Sequence, residues 1–281
     1  MERNGGFNSM KKYMIRCDIE GVSGVVSYEQ AEPGKSEFEF GKRMFMSDLM
    51  AVIEGLNAGG ADEIWVYDEH YYGRNIDIDE LPDNVFCING KPPYTKNWAG
   101  GLDSSFAGLI LLGFHSKRGT ENALLNHTYE PDIVNIDING VSVGEIGMET
   151  AIAGVYNVPL VMIVADSEGI REAKELVPGV VGVSVKESLS EFGAVCYPLN
   201  VTKNKIFEAA KAVAEKSCDA KPYEAGKAKV EFTLKPGRYT DIYKMLYTVE
   251  NNVSVIEGET VLEAYAEYWN RKLNCQKFME E

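Results

Sequence analysis

Arg16-Cys17-Asp18-Ile19-Glu20-Gly21-Val22-Ser23-Gly24 is the stretch in which a first apolar strand, Tyr13 to Cys17, runs out into two carboxylates and a glycine-punctuated turn. Strand side chains alternate faces, so positions two apart place Asp18 and Glu20 together, where each raises the cost of ionising the other unless a cation lies between them. Gly21 and Gly24 permit a tight turn directly afterwards. The acids are thereby left at the carboxyl end of a strand, the edge at which open α/β sheets place ligands. Taken alone, the stretch also reads as a solvated strand end with two surface acids.

Further along, the same arrangement recurs. Met46, Leu49, Met50, Ile53 and Leu56 follow helical spacing up to Gly59-Gly60, and the short strand Ile64 to Tyr67 then runs into Asp68-Glu69-His70. A connection from Tyr71 to Trp98, with a small strand at Val85 to Ile88, leads to a buried strand at Leu109 to Leu112, followed by Gly113-Phe114-His115. Asn139-Gly140 marks a hairpin turn, and a helix from Gly144 to Tyr156 carries Glu145 in its first turn. Leu160 to Ala165 is a continuous apolar strand, with Asp166-Ser167 capping a helix from Glu168 to Val177. Strands alternating with helices predict an α/β fold, a Rossmann-like, mainly parallel sheet with helices on both faces. After Pro198 the texture changes to helix Lys205 to Lys216, strand Lys229 to Leu234, helix Tyr239 to Tyr247, strand Val253 to Glu257 and helix Val261 to Leu273. The expected organisation is a flexible extension over 1–10, an α/β metal-binding catalytic domain over 11–200 and a smaller α+β domain over 201–281.

A formal net charge of −15 over 281 residues argues against nucleic acid and anionic membrane surfaces as partners and suits cations and amines. No apolar run is long enough to span a bilayer, and the first ten residues lack a secretory apolar core, so the expected location is cytoplasmic. The five scattered cysteines form no C-x-x-C and read as reduced thiols, with Cys17 a core residue.

Asp18, Glu20, His70, His115 and Glu145 all fall where the chain leaves the sheet or enters a helix. Two imidazoles with three carboxylates suit zinc, manganese, cobalt or iron better than magnesium. Five ligands exceed the usual count for one catalytic zinc, and three carboxylates balance two cations, so a two-metal site bridged by Asp18 is the simplest reading. Each residue also has an ordinary alternative: a hydrogen-bonded rim histidine, or a first-turn carboxylate favoured by the helix dipole. His127, in Leu125-Asn126-His127-Thr128, lies off the ligand pattern and is suited to acid/base work or is a surface histidine. The turn after Asp18 lacks the spacing of a dinucleotide fingerprint and a Walker lysine. Asp18-Ile19-Glu20-Gly21 also faintly resembles the D-x-D-G turn of haloacid-dehalogenase-like phosphatases, against which the histidines count.

Taken in order, Asp18-x-Glu20-Gly21, Asp68-x-His70, Leu112-Gly113-Phe114-His115, Asn126-His127-Thr128 and Val143-Gly144-Glu145-Ile146-Gly147 resemble the zinc D-aminopeptidase family of the bacterial dipeptide-transport operon. The resemblance is fullest from Tyr13 to Pro198. It implies a two-zinc aminopeptidase acting on short peptides, with Asp18, Glu20, His70, His115 and Glu145 as metal ligands and His127 as the catalytic residue. It also implies a Rossmann-like first domain, a smaller second domain and self-association into a ring-shaped homo-oligomer. The family signature has Ser where this chain has Arg16. A binding or regulatory protein without turnover, or a metal-dependent phosphohydrolase, is the alternative function.

Overall fold

The computed structural model of the chain describes residues 10–216 and 219–280. In chain order the elements are β1 (Lys12–Cys17), α1 (Tyr28–Ala31), α2 (Phe38–Ala58), β2 (Glu63–Asp68), β3 (Val85–Ile88), β4 (Gly108–Phe114), β5 (Ile133–Ile138), β6 (Val141–Val143) and α3 (Glu145–Val155). There follow β7 (Leu160–Asp166), α4 (Ser167–Leu176), β8 (Val181–Ser190), β9 (Gly193–Cys196), α5 (Leu199–Glu215), β10 (Ala228–Leu234), α6 (Arg238–Leu246), β11 (Val253–Gly258) and α7 (Val261–Glu280).

The larger sheet has seven strands in the order β3-β2-β1-β4-β7-β8-β9, parallel except for the antiparallel β8–β9 edge. Its central strands are buried end to end, which is why β4 and β7 read as unbroken apolar runs. The chain winds outward from β1 to β2 on one side and begins the other side with β4, so the reversal of direction falls between β1 and β4. In that crevice the strand ends align, Cys17 lying beside Asp68 of β2 and Leu112 of β4. Everything that follows these three strands is therefore delivered to one place.

Helices cover both faces, as the alternating pattern predicts. On one face α2 and α5 bury Leu49, Val52, Ile53, Leu56, Ile206 and Ala210 against Ile15, Val66, Ile110 and Val164. The two helices approach closely because Gly55 and Gly59 face Phe207, Ala210 and Ala214 without a side chain between. The other face packs against α3, α4, α7 and a second sheet, with Met14, Leu111, Ile163, Ile146, Ile152, Phe232, Tyr265 and Tyr268 in one continuous core. Each such side chain contributes about 1.5–3 kcal/mol on burial.

The second sheet, β11-β10-β5-β6, is antiparallel and draws strands from both sides of residue 200. Hairpin β5–β6, turned at Asn139-Gly140 with both φ angles positive, pairs with β10, while α5 packs onto α2 of the larger sheet. A boundary at residue 200 therefore falls within the second sheet, with β5 and β6 before it and β10 and β11 after it. Pairing between strands some ninety positions apart leaves no local trace, since register is set by matching faces and not by neighbouring residues. The extension expected over 1–10 lies, apart from the exposed Met10, outside the described residues.

Candidate metal centre

Close backbone contact builds the site first. Gly21 N donates to Gly113 O at 2.6 Å, and Asp18 N donates to Leu112 O at 2.8 Å, so the turn after β1 lies flat on the end of β4. A Cβ on Gly21 would strike Phe114 O, and one on Gly113, whose φ is +74°, would strike Asp18 O. These two glycines of the D-x-E-G and G-F-H stretches are therefore steric requirements. Beneath the turn, Lys186 of β8 is completely buried and donates from Nζ to Glu20 O at 2.6 Å, Val22 O at 2.8 Å and Val25 O at 2.5 Å. Asp48 of α2 completes the support, accepting from Ser23 N at 2.8 Å and Ser23 Oγ at 2.9 Å.

The strand proper stops at Cys17, so alternation along β1 is not what brings Asp18 and Glu20 together. The turn does so, closed by Val22 N donating to Ile19 O at 3.2 Å. Both carboxylates then meet His70, whose Nδ1 lies 2.8 Å from Asp18 Oδ1 and 3.3 Å from Glu20 Oε2. His70 is held from behind by Asp68, which accepts from His70 N at 3.1 Å and from Asn75 N at 2.6 Å. On the other side His115 Nε2 lies 3.6 Å from Asp18 Oδ2 and 3.9 Å from Glu145 Oε1. Asp18 thus faces both imidazoles with different oxygens. His127 stacks on His115 with ring centres 4.1 Å apart, and Tyr129 N donates to Glu145 Oε1 at 2.7 Å.

Two groups of potential ligands result, Asp18, Glu20 and His70 on one side and His115, His127 and Glu145 on the other, each with its ligand atoms within 4.8 Å of one another. All six residues expected from the sequence converge. His127 alone differs from its expected place, because it stands among the ligand atoms and not apart from them.

Ring-nitrogen bonding decides what the cluster lacks. A carbonyl oxygen can only accept, so His70 Nε2, 2.7 Å from Ala31 O, carries a hydrogen, as do His115 Nδ1, 3.0 Å from Ser116 O, and His127 Nδ1, 2.9 Å from Leu125 O. In a neutral imidazole the other nitrogen then presents a lone pair, which for His70 and His115 points at carboxylates. Lone pair against carboxylate is repulsive unless a proton or a metal lies between. His115 Nε2 and Glu20 Oε2 are buried and complete no hydrogen bond. A metal ion fits these unpaired atoms, with backbone carbonyls fixing the far side of each imidazole in the way usual for metal-bound histidine.

Without a cation the titration is severely distorted. Burial, then the Glu20 charge, pushes Asp18 up to about 7. Burial works against ionisation of Glu20 too, but His70, His127 and His115 together hold it well below the usual carboxylate range. For His115 burial is outweighed by Glu145, Asp18 and Glu20, which raise it to about 9. His70 is likewise raised, by Glu20 and Asp18. His127 is pushed the other way, by burial and the neighbouring His115. Such divergence within one cluster is the pattern that burial and crowded charges produce at functional sites.

The cluster opens into a cavity of about 780 Å³ walled by Tyr28, Tyr71, Tyr129, Tyr265, Tyr268 and Trp269, with a carboxylate surplus that includes Glu32, Glu69, Glu149 and Glu191. Arg16 does not line it. Its guanidinium is buried against Glu149, donates to Ala99 O at 2.5 Å and lies 5.6 Å from the Tyr94 ring centre, so it acts on the cavity only through Glu149. Sequence reasoning missed Lys186, Asp48, Glu149 and Glu172, the last accepting from Lys117 N at 2.7 Å and Gly144 N at 3.2 Å. The available signal was a charge inside an otherwise apolar strand or helix, which identifies a buried polar residue without naming its partner.

Comparison with known proteins places the chain in a family. A family described as D-aminopeptidase matches residues 10–269. A D-aminopeptidase of Bacillus subtilis (strain 168) is 30% identical over 188 residues, covering 66% of this chain and 67% of that protein. The solved structure of Zn-dependent D-aminopeptidase DppA from Bacillus subtilis, a self-compartmentalizing protease, matches with a TM-score of 0.86 and 22% identity, covering 95% of this chain and 97% of that one, and so shares the fold. From the span of the family match and the identity of the curated relative, the chain belongs to the D-aminopeptidase family.

Proposed function

We propose that the chain is a metallo-aminopeptidase that removes the N-terminal residue of short peptides, D-residues included, at a two-zinc centre. The observation that carries this reading is the position of Asp18, one oxygen 2.8 Å from His70 and the other 3.6 Å from His115, which suits a carboxylate serving two ions. Asp18, Glu20 and His70 would hold one ion, and Asp18, His115 and Glu145 the other. Zinc there would supply Lewis acidity toward the scissile carbonyl and the attacking water. The relatives' zinc dependence and D-aminopeptidase activity support the choice of metal and reaction.

The chain's own residues supply binding and proton transfer. Acids around the cavity suit a substrate ammonium, and burial raises what each such contact contributes. Because Leu125 O holds the Nδ1 hydrogen of His127, its Nε2 is free to take a proton from the attacking water and return it to the departing amine. Burial and the neighbouring His115 lower His127 from its ordinary value, which favours the neutral form that can accept a proton. Its place among the ligand atoms favours a second reading, His127 as a ligand. Zinc content of His127→Ala separates the two.

No described helix is long and apolar enough to cross a membrane. The acidic composition supports a cytoplasmic enzyme, and the self-compartmentalizing relative supports assembly into a ring-shaped homo-oligomer. The function is tested with zinc-loaded protein on matched dipeptides that have D or L amino-terminal residues, free or N-acetylated. Release of the first residue from free peptides only is expected. Equal cleavage of acetylated peptides refutes the aminopeptidase assignment, since acetylation removes the charge that would be recognised.

A further inference from the structure

Three cations line the cavity, Lys91, Arg118 and Lys272, and their partners differ. Lys91 is tied to Glu69 at 3.1 Å, and Lys272 to Glu130 at 2.7 Å above the Trp269 ring. For Arg118 no ion pair is found among the described residues, and its buried Nε has no hydrogen-bond partner. A guanidinium at the wall of a carboxylate-rich cavity without a carboxylate of its own is uncommon, since desolvating it brings no return until an anion arrives.

Its placement is determined by the loop that carries the histidines. Arg118 N donates to Thr128 Oγ1 at 3.2 Å, Gly119 N to Asn126 Oδ1 at 2.8 Å, and Lys117 N to Glu172 Oε2 at 2.7 Å. These bonds pin the loop at both ends and hold Arg118 three residues after His115 and beside the His127-Thr128 segment. A short peptide is a zwitterion. Its ammonium has many acids to meet in this cavity, but its carboxylate meets Lys91 and Lys272 only in competition with the glutamates already paired to them.

We propose that Arg118 receives the C-terminal carboxylate of the peptide substrate and so makes the enzyme select short peptides whose free carboxyl group lies within the cavity. This rests on the aminopeptidase reading. The planar fork of arginine matches a carboxylate with two parallel hydrogen bonds, and the contact is equal in ground and transition states, so its effect falls mainly on KM. An alternative use of the same guanidinium, stabilising the developing oxyanion, would act on kcat and on every substrate alike.

The test compares a dipeptide with its C-terminal amide, in the N-terminal configuration that the wild type prefers, for zinc-loaded wild type and Arg118→Ala. Wild type should prefer the free acid, and Arg118→Ala should reduce that preference on the order of 10- to 100-fold, mostly through KM. Arg118→Gln carries the same expectation if the alanine variant does not fold. Equal loss on both substrates, or an unchanged preference, overturns the assignment while leaving the aminopeptidase reading intact. Failure of wild type to cleave either substrate overturns that reading and the assignment with it.

Discussion

The two halves of the ligand cluster are built differently. Asp18, Glu20 and His70 are all buried and rest on fixed supports: the Lys186 ammonium under three carbonyls, Asp48 on Ser23, and Asp68 behind His70. His115 is buried as well, but His127 and Glu145 are partly exposed, coming from a loop and a helix start. The first half is braced from β2, α2 and β8 and the second is carried by a loop and a helix start, while Asp18, Glu20, His70, His127 and Glu145 all line the cavity. On the proposed two-zinc reading the difference would divide metal affinity from reactivity, the braced half holding an ion through buried ligands and the more exposed half carrying the proton transfer.

Asp18 is the sharpest point at which to break this comparison. Asp18→Ala should release both metals and abolish activity, whereas His70→Ala and Glu145→Ala should each reduce zinc content by about one ion per chain, in keeping with a bridging carboxylate. Elemental analysis after dialysis measures this, and retention of one full equivalent by Asp18→Ala would remove the bridge from the scheme.

His127 tests the open half. Its alanine variant should keep both metals and lose turnover by about 10²–10⁴-fold, the usual contribution of a positioned acid/base group. Loss of one zinc equivalent from His127→Ala would instead make it a ligand.

Lys186 tests the brace. Lys186→Met leaves the carbonyls of Glu20, Val22 and Val25 without their shared donor and removes a cation that faces Asp166 and, together with Lys203, Asp48. Breaking such a buried arrangement costs about 3–5 kcal/mol, so the midpoint of urea unfolding should fall clearly, and zinc should be lost first from the Asp18, Glu20 and His70 side. An unfolding midpoint equal to wild type would mean that the brace contributes nothing.

The smallest effect concerns pH. Burial, partly offset by the Ser23 hydrogen bonds, raises Asp48 from 3.8 to about 6 in the folded protein. The folded state therefore binds more protons than the unfolded state between those values, and this group's contribution to stability declines as pH rises from about 4 to 6. Asp48→Asn removes that decline. The slope of melting temperature against pH should become more positive in the variant over this interval, and identical slopes would show that Asp48 titrates as an ordinary carboxylate.

Most parallel strands were legible because a strand buried on both faces needs an unbroken apolar run, as in Leu109 to Leu112 and Leu160 to Ala165. Strands β8 and β9 lie outside the strands expected from the sequence. Val181, Val183 and Val185 alternate with glycine, serine and lysine, a period-two pattern that marks β8 as a half-buried strand, whereas the four-residue edge strand β9 is too short to carry one.

The sequence by itself determined which residues could bind metal and that they leave the sheet at one edge, because strand ends and glycine turns are local features written in residue order. It also pointed to the family, through motif spacing that survives substitution elsewhere. Only the tertiary structure decided that Asp18 stands between two imidazoles, that His127 stacks on His115, and that Lys186, 166 residues from Glu20, holds the turn. Those contacts depend on how distant strands pair and how far each backbone can approach its neighbour. Sequence separation carries no measure of either distance, so a buried charge such as Lys186 acquires its role only when the chain has folded around it.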